Sequence, residues 1–220
     1  PVKTQIVGEV TKELESQAER VKDFMNYQVT EQMEEYFDDL DQMLFYLPIV
    51  GSCFKKVYYD SELERPVAKF IPITDFVVST NTTELRTSGR YTHVIRMEAN
   101  ELKKRQVSGF YRDIPLMEED RLNESTSLTG INEKIQDIEG VKPSTTYKKD
   151  ARFTLLEMHV DLDLPDSKKE FACPYIVTVC KETNDILAIR QNFKDDDPKF
   201  KRLQYFVHYK FLPGFSFYGL

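Results

Sequence analysis

Apolar and acidic residues recur at helical spacing over the first quarter of the chain. One apolar stripe starts at Val7 and a second runs from Val29 to Leu47, with apolar side chains three and four positions apart and acidic side chains between them. The pattern predicts two amphipathic helices, the first ending near Asn26 and the second capped by Thr30. We expect them to form a hairpin or one kinked rod that packs on a sheet or on neighbouring subunits.

A β-hairpin is predicted directly after the second helix, which Pro48 and Gly51 are expected to stop. Residues 51–60 and 65–72 are rich in aromatic and β-branched side chains, and a turn-prone Asp-Ser pair stands between them. These two runs are therefore expected to pair as antiparallel strands.

Four further segments follow the hairpin. Residues 71–78 are apolar with an internal proline, which predicts an edge strand or a bent strand. Residues 91–96 are typical of a strand, and residues 98–105 of a short helix whose last turn carries bases that suit the negative end of the helix dipole. Residues 115–150 are polar and contain several breakers, so they predict either a mobile excursion or a segment with one small helix.

The final third of the chain alternates with a period of two. Residues 153–164 predict a strand with one apolar and one charged face. Residues 175–180 and 186–193 predict a hairpin, and residues 203–211 a fourth strand, so a four-stranded antiparallel meander is expected. The apolar face holds Leu156, Met158, Val160, Leu162 and Leu164, and the charged face holds Glu157, His159, Asp161 and Asp163.

These elements predict an α+β fold in which N-terminal amphipathic helices pack on antiparallel sheets built from hairpins and a meander. The expected divisions are a helical region at 1–48, a mixed hairpin and helix region at 49–114, the polar excursion at 115–150 and the meander at 151–220. Residues 49–220 are expected to form one domain.

Charge is unevenly placed along the chain. Residues 1–45 hold 11 acidic against 4 basic side chains, and the remainder balances 26 against 26. An acidic N-terminal region repels a phosphate backbone rather than binding it. The three cysteines, Cys53, Cys173 and Cys180, show no CxxC spacing, which favours buried thiols over a disulfide framework or a zinc cage.

One strand face carries an ordered set of candidate metal ligands, namely Glu157, His159, Asp161 and Asp163. Their two-residue spacing places neighbouring heads about 6 to 7 Å apart, which suits Mg²⁺ or Ca²⁺ if a loop supplies more oxygens. Alternating charges are also typical of any half-exposed antiparallel strand, and this interpretation is favoured. A metal-dependent hydrolase built on Glu157, Asp161 and Asp163 stays as an alternative function, as does a generic α+β interaction module.

A basic cluster with aromatic neighbours is the candidate contact surface for nucleic acid or for another subunit. It consists of Lys103, Lys104, Arg105 and Arg112, with an aromatic pair just before the last. The ordinary surface of a helix C-terminus accounts for the same residues and is favoured.

Catalysis has little support in the sequence. His93, His159 and His208 lie far apart, no serine or cysteine stands in a nucleophile-elbow context, and there is no glycine-rich phosphate loop. The acidic run at 195–197 lacks the glycine and distal glutamate of a calcium loop and predicts a solvated turn. We therefore expect a chain that is not an enzyme and needs no cofactor.

Several strings, in this order along the chain, resemble one family. GSCFKKVYYD, RPVAKFIP and TDFVV, within residues 51–78, are similar to the wing region of portal proteins from tailed double-stranded DNA bacteriophages, especially the short-tailed phages. Three later strings strengthen the resemblance: YTHVIR at 91–96, QVSGFYRD at 106–113, and the aromatic stretch at 206–219. Together they cover most of the chain, and none of them is a catalytic motif.

The resemblance implies a structural role in the virion. Portal proteins form a ring, typically a dodecamer, at one capsid vertex; double-stranded DNA passes through it during packaging and ejection. The implied partners are identical subunits, the terminase, the capsid and scaffold proteins, and the tail adaptors. The implied location is the virion, and the host cytoplasm during assembly.

The chain is expected to be an excised piece of such a protein. It starts at Pro1 without a methionine and stops at Leu220 directly after an aromatic-glycine run, and the stem and clip of a portal are expected to follow. We expect the isolated fragment to be a monomer or a weak oligomer. No apolar stretch reaches the length of a membrane span, so no membrane association is expected.

Overall fold

A computed structural model describes residues 2–61, 63–115, 152–164, 171–212, 214 and 217–218. Nearly all of the predicted polar excursion at 115–150 therefore lies outside the described residues. The chain divides into two compact units: one contains Pro1–Phe76, Asn81–Thr87 and Gln204–Leu220, and the other contains Val77–Thr80 and Ser88–Leu203.

Three α-helices and eight β-strands make up the described part of the chain. The helices are α1 (Lys12–Tyr27), α2 (Tyr36–Val50) and α3 (Ala99–Val107), and a short π-helix, Gln28–Gln32, follows α1. The strands are β1 (Ser52–Asp60), β2 (Arg65–Pro72), β3 (Phe76–Val78), β4 (Arg90–Glu98), β5 (Arg152–Leu162), β6 (Cys173–Cys180), β7 (Ile186–Gln191) and β8 (Phe206–Lys210). Helices and antiparallel sheets occur together, so the predicted α+β class is confirmed.

The first unit contains a three-stranded sheet with the order β2-β1-β8. The predicted hairpin is confirmed, with Cys53 opposite Pro72 at one end and Asp60 opposite Arg65 at the other. Helix α2 packs on one face, where Met43 is buried with Cys53 and Phe70. On the other face Phe54 stacks on Phe76 (4.0 Å between ring centroids) and on His208 (4.5 Å).

The second unit contains a five-stranded sheet with the order β3-β4-β5-β6-β7. Strands β5, β6 and β7 form an antiparallel meander, as the alternation predicted. Helix α3 covers one face of the sheet through Leu102, which is fully buried together with Phe153 and Leu155. The core of this unit therefore lies between α3 and the sheet.

The helix boundaries differ from the predicted ones. Thr30 is not an N-cap: its hydroxyl donates to the carbonyl of Asn26 within the π-helix that continues α1. The chain leaves the helical conformation at Met33, and α2 begins at Tyr36. A hydroxyl can satisfy a preceding carbonyl as well as a following N–H, and periodicity alone does not distinguish the two.

Of the two residues predicted to end α2, only Gly51 does so. Pro48 lies inside the helix, in its last turn. Gly51 ends it with a φ of 81° and donates its N–H to the carbonyl of Leu47. Glycine adopts this left-handed conformation without a steric penalty, which explains why the helix ends here rather than at the proline.

Strand β8 does not extend the meander, so the prediction of a four-stranded meander is wrong. It pairs with β1, with Ser52 opposite Lys210 and Lys56 opposite Phe206. The alternation of residues 203–211 identified a strand correctly, but a period of two does not specify the neighbouring strand.

Lys55 is buried in the first unit. It is 4% exposed, its ammonium lies 4.3 Å from the ring centroid of Tyr36, and it has no hydrogen-bond partner within the described part of the chain. Burial lowers the pKa of Lys55, and the charges of Asp39 and Cys53 act in the opposite direction. The aromatic ring only partly replaces the lost hydration of the charge.

The variant Lys55→Met is therefore expected to raise the free energy of unfolding by about 1–2 kcal/mol near neutral pH. Because the folded pKa lies below the unfolded one, the charged form opposes folding at low pH, and the advantage of the variant shrinks as the pH rises toward 10.5, the ordinary pKa of lysine. Urea denaturation at several pH values measures this, with the exposed Lys69→Met as the matched control. A variant less stable than the native chain at neutral pH would contradict the prediction.

Candidate functional site

Helix α1 has an apolar stripe that remains exposed in the described part of the chain. No residue of the helix is buried. Leu14 is 41% exposed, Val21 50% and Phe24 58%. The stripe predicted from the sequence is therefore present, but it faces outward.

Helix α2 is held on the sheet by one side and exposes apolar residues on the rest of its surface. Met43 is its one buried residue, whereas Leu44 is 54% exposed, Phe45 76% and Ile49 69%. We call the exposed apolar residues of α1 and α2 the helical surface. Its members are Leu14, Val21, Phe24, Met25, Tyr27, Phe37, Leu44, Phe45, Ile49 and Val50.

Acidic side chains lie on the same two helices as the helical surface. Glu13 and Glu15 occupy the first turn of α1, and Asp38 and Asp39 that of α2, where a carboxylate suits the positive end of the helix dipole. Lys22 is shared between Glu19 and Asp23 at 3.7 Å from each. Exposed apolar side chains accompanied by charged ones are typical of a surface that binds another macromolecule.

The basic cluster lies on α3 and on the turn after it, and acids pair with half of it. Lys103 contacts Asp113 and Arg105 contacts Glu101, both at 2.9 Å. Lys104 and Arg112 are exposed, and the backbone N–H of Arg112 donates to the carbonyl of Leu187. Only part of the cationic charge predicted for this cluster is thus left for a partner.

The candidate carboxylates of β5 do not converge on one point. Glu157 Oε1 lies 3.2 Å from His159 Nε2 and 3.8 Å from His93 Nδ1. Asp161 Oδ1 instead accepts a hydrogen bond of 2.7 Å from Arg202, and Asp163 is exposed. Among the residues that the structure describes, no three His, Cys, Asp or Glu side chains are arranged to hold a metal ion.

The acidic run at 195–197 forms a turn. The carboxylate of Asp197 accepts backbone hydrogen bonds from Lys199 (3.0 Å) and Lys201 (3.2 Å), which lower its pKa. Asp195 accepts a hydrogen bond of 2.6 Å from Gln191. These contacts are those of an Asx-type turn, in agreement with the prediction.

The buried face of β5 is the one predicted to be charged and half-exposed. Phe153, Leu155 and His159 are fully buried, and the Glu157 side chain is 14% exposed, whereas the even-numbered apolar positions are half-buried. The prediction failed because α3 covers the odd-numbered face, and the strand pattern does not show where that helix packs. Phe153 and Leu155, two large apolar residues at odd-numbered positions near the start of the strand, were the available signal that this face is buried.

A polar network occupies the inner face beside this core. The register places Tyr91 opposite His159 and His93 opposite Glu157, and the Tyr91 ring stacks on His159 with centroids 4.7 Å apart. His159 Nδ1 lies 3.3 Å from Asn192 Nδ2. The register of β4 and β5 thus brings histidines that are distant in sequence next to each other, and the hydrogen bond to Asn192 holds His159 within the interior.

Tyr111 connects the basic cluster with this network. Burial raises the pKa of Tyr111, the Arg105 guanidinium partly offsets the shift, and the Glu157 carboxylate raises the pKa further. The phenol therefore stays neutral at physiological pH. Arg105 takes part in the packing of the second unit as well as in its surface.

Arg202 holds the end of the network in place. Its guanidinium donates to the carbonyls of Ser88 (2.6 Å) and Gly89 (3.0 Å) and to Asp161 (2.7 Å), while its side chain is 9% exposed. A planar fork serves three acceptors in a way that a single ammonium does not.

We expect Arg202→Lys to lower the free energy of unfolding by about 2 kcal/mol because two acceptors lose their donor. The matched control is Lys201→Gln, whose side chain is exposed and which is expected to change stability by less than about 0.5 kcal/mol. Chemical denaturation followed by circular dichroism measures both. Equal stability of the two variants would show that the fork is dispensable.

Ser52 and His208 form a close pair in the first unit. Ser52 Oγ lies 2.6 Å from His208 Nε2, and His208 is stacked between Phe54 and Phe217, each with centroids 4.5 Å away. Burial, with a smaller effect of the Lys210 charge, lowers the pKa of His208 from 6.5 to about 4. Ser52 is 0% exposed, so its hydroxyl does not reach a substrate. The pair is thus a packing contact rather than a nucleophile.

Stability should depend on the charge state of His208. With an unfolded pKa of 6.5 and a folded pKa of about 4, its contribution is complete above pH 6.5 and is lost as the pH falls from 6.5 to 4. We expect a loss on the order of 1–2 kcal/mol, since the ring is only partly buried. The difference in unfolding free energy between the native chain and His208→Gln should shrink over this interval. A difference that is constant from pH 7 to 4 would contradict the assignment.

No protein-family model matches the sequence, and no curated protein matches it either. Within the described residues, no helix is both long and apolar enough to cross a membrane.

Proposed function

We propose that this chain is the wing region of a bacteriophage portal protein of the short-tailed type. Its function is structural: it is one subunit's part of a ring through which double-stranded DNA is packaged and ejected. The strings at 51–78, 91–96, 106–113 and 206–219 support this proposal, and so does the α+β fold with its two antiparallel sheets.

The observation that carries the proposal is the exposure of α1. A helix of this length is marginal in water by itself and takes most of its stability from packing of its apolar face. No residue of α1 is buried, and Phe24 is 58% exposed. A neighbouring subunit that covers the stripe supplies the missing packing.

The acidic charge of the N-terminal region favours a chain past which DNA moves over one that binds DNA tightly. The excess of acidic side chains lies within residues 1–45, at and around the helical surface. A surface of this sign repels phosphates, whereas a basic surface would bind DNA tightly and in a salt-dependent way. An acidic helical exterior on a β-body of balanced charge does not trap passing phosphates.

Assembly on this proposal is by a head-to-tail contact repeated around a closed ring. Each subunit presents its helical surface to a different surface of the next. The terminase, the capsid and scaffold proteins and the tail adaptors are the further partners, and the ring resides at the capsid vertex after assembly in the host cytoplasm. No catalytic group is required of the wing.

Electron microscopy of the full-length parent protein tests the proposal. We expect rings with a central hole, and light scattering of the 220-residue fragment alone should give a monomer or a weak oligomer. A full-length protein that stays monomeric at high concentration would overturn the proposal. A fragment that forms a stable ring by itself would contradict the expected need for the remainder of the subunit.

The double variant Val21→Glu, Phe24→Glu in the full-length protein tests the observation on α1. We expect ring formation to be lost, because charges replace the apolar stripe, while the melting temperature of the isolated fragment changes little because α1 has no buried residue. Ser16→Glu, at an exposed polar position of the same helix, is the matched control and should leave rings intact. Rings that form normally with the double variant would show that α1 is not a subunit contact.

A further inference from the structure

Strand β8 is an outer strand of the three-stranded sheet of the first unit, and no described strand pairs with its other side; we call this side the open edge. Two backbone contacts define the hydrogen-bond phase of the β1–β8 pair: the N–H of Val57 donates to the carbonyl of Tyr205 (2.7 Å), and the N–H of Phe211 donates to that of Gly51 (2.9 Å). Bonded pairs alternate in an antiparallel ladder. The odd-numbered positions of β8 are therefore bonded to β1.

The even-numbered positions of β8 consequently direct their backbone groups away from the sheet. In the β1–β8 register these positions include His208, opposite Phe54, and Lys210, opposite Ser52. Neither of them is a proline, so each has an N–H and a C=O on the open side. A free edge of this kind binds another strand unless the protein blocks it.

The opposite edge of the same sheet, β2, is blocked. Its outward backbone groups belong to Pro66, Ala68, Phe70 and Pro72, because the alternate positions pair with β1. The two prolines have no N–H, and the N–H of Phe70 donates to Asp39 Oδ2 at 2.8 Å. Three of the four outward donors are thus absent or occupied.

The outer strand β7 of the five-stranded sheet is also covered. The N–H of Arg112 donates to the carbonyl of Leu187 at 2.8 Å, and the Arg190 side chain donates to the carbonyl of Phe110 at 2.7 Å. The segment after α3 therefore lies along this edge. Strand β8 lacks both the prolines of β2 and a covering segment among the backbone contacts of the described residues.

A groove runs beside the open edge of β8. It has a volume of about 360 Å³ and lies between β8 and the loop at 83–86 of the same unit. Leu85 (7% exposed) and Phe206 (4%) form its apolar wall, while Val207 is 46% exposed at its side. Arg86 and Lys210 supply two cations against the single carboxylate of Glu84, and neither forms an ion pair with a described residue.

We propose that this edge binds an extended peptide segment of another protein by strand addition. The peptide adds one strand beside β8 and exchanges main-chain hydrogen bonds with His208 and Lys210. Because successive side chains of a strand point to opposite faces, every second side chain faces Val207 and is apolar. The alternate ones face Arg86 and Lys210, and at least one of them is acidic.

A second copy of this chain fits the edge less well. Its β2 edge is blocked by Pro66 and Pro72 and by the Phe70 contact, so a continuous sheet of β8 on β2 does not form. Pairing of β8 with β8 about a two-fold axis brings Lys210 and Arg86 of both copies to one groove. Like charges at that distance oppose the contact.

Amide hydrogen exchange of the free protein is the first test. We expect the amides of His208 and Lys210 to exchange quickly, while those of Val207 and Tyr209, which are bonded to β1, exchange slowly. Protection that is equal at all four positions and independent of protein concentration would mean that the edge is already covered within the chain, and would overturn the proposal. Protection that appears only at high concentration would mean that a second copy is the occupant, and would overturn it equally.

A synthetic peptide is the second test. The probe is a capped peptide of about eight residues that alternates valine and glutamate, and binding is followed by chemical-shift changes and by new protection at His208 and Lys210. Two further peptides carry methyl groups on the backbone nitrogens of the valines or of the glutamates. Only one of the two methylated sets faces β8, so one peptide should bind at least about tenfold more weakly and the other should bind as before. Equal binding of both methylated peptides, or no binding by the parent peptide, would overturn strand addition.

Substitutions at one position separate the main-chain contact from the charge. Lys210→Pro removes the outward N–H and should abolish binding, whereas Lys210→Met keeps it and should weaken binding only a few-fold through the lost charge. A spectrum of the β1 amides reports whether each variant retains the sheet. If the proline variant does not fold, the methylated peptides decide; if it folds and binds the probe like the native chain, the proposal fails. None of these outcomes depends on ring formation.

Discussion

The pairing of β1 with β8 is the constraint on which the first unit depends. Strand β1 lies between β2 and β8 and uses alternate backbone groups for each, so its ladder is complete only when β8 is in place. The contact between Ser52 and His208 spans 156 residues of sequence. In sequence, most of the second unit is therefore inserted between β1 and β8 of the first. The three-stranded sheet of the first unit can form completely only when the segment after this insertion pairs with β1.

The sheet of the first unit buries a titratable side chain on each of its two faces. On one face Lys55 is buried beside Tyr36 under α2, and on the other His208 is stacked among aromatic rings and kept neutral. Both groups are buried at some free-energy cost, which the sheet offsets through apolar contacts. The two outer strands of this sheet also differ in their outward backbone groups, which are mostly absent or occupied in the blocked edge at β2 and available in the open edge at β8.

The two proposals rest on the exposed apolar side chains of α1 and α2 and on the outer strand β8. The buried network around His159 is held by contacts within the second unit, and the carboxylates of Glu157 and Asp161 are held by different partners. Polar groups engaged in this way hold the elements of the second unit together. A structural subunit of a ring accords with that division between interior and surface.

Local periodicity determined the element types, the β1–β2 hairpin, the meander of β5 to β7, and the amphipathic character of α1 and α2. Apolar spacing and turn residues act over a few positions, so the sequence records them directly. Only the tertiary structure decided that β8 joins β1, that Phe153 and His159 share the buried face of β5, and that the stripe of α1 stays exposed. These features depend on which elements pack together across long separations, and a strand or helix carries the same pattern whether a helix, a distant strand or another subunit covers its apolar side.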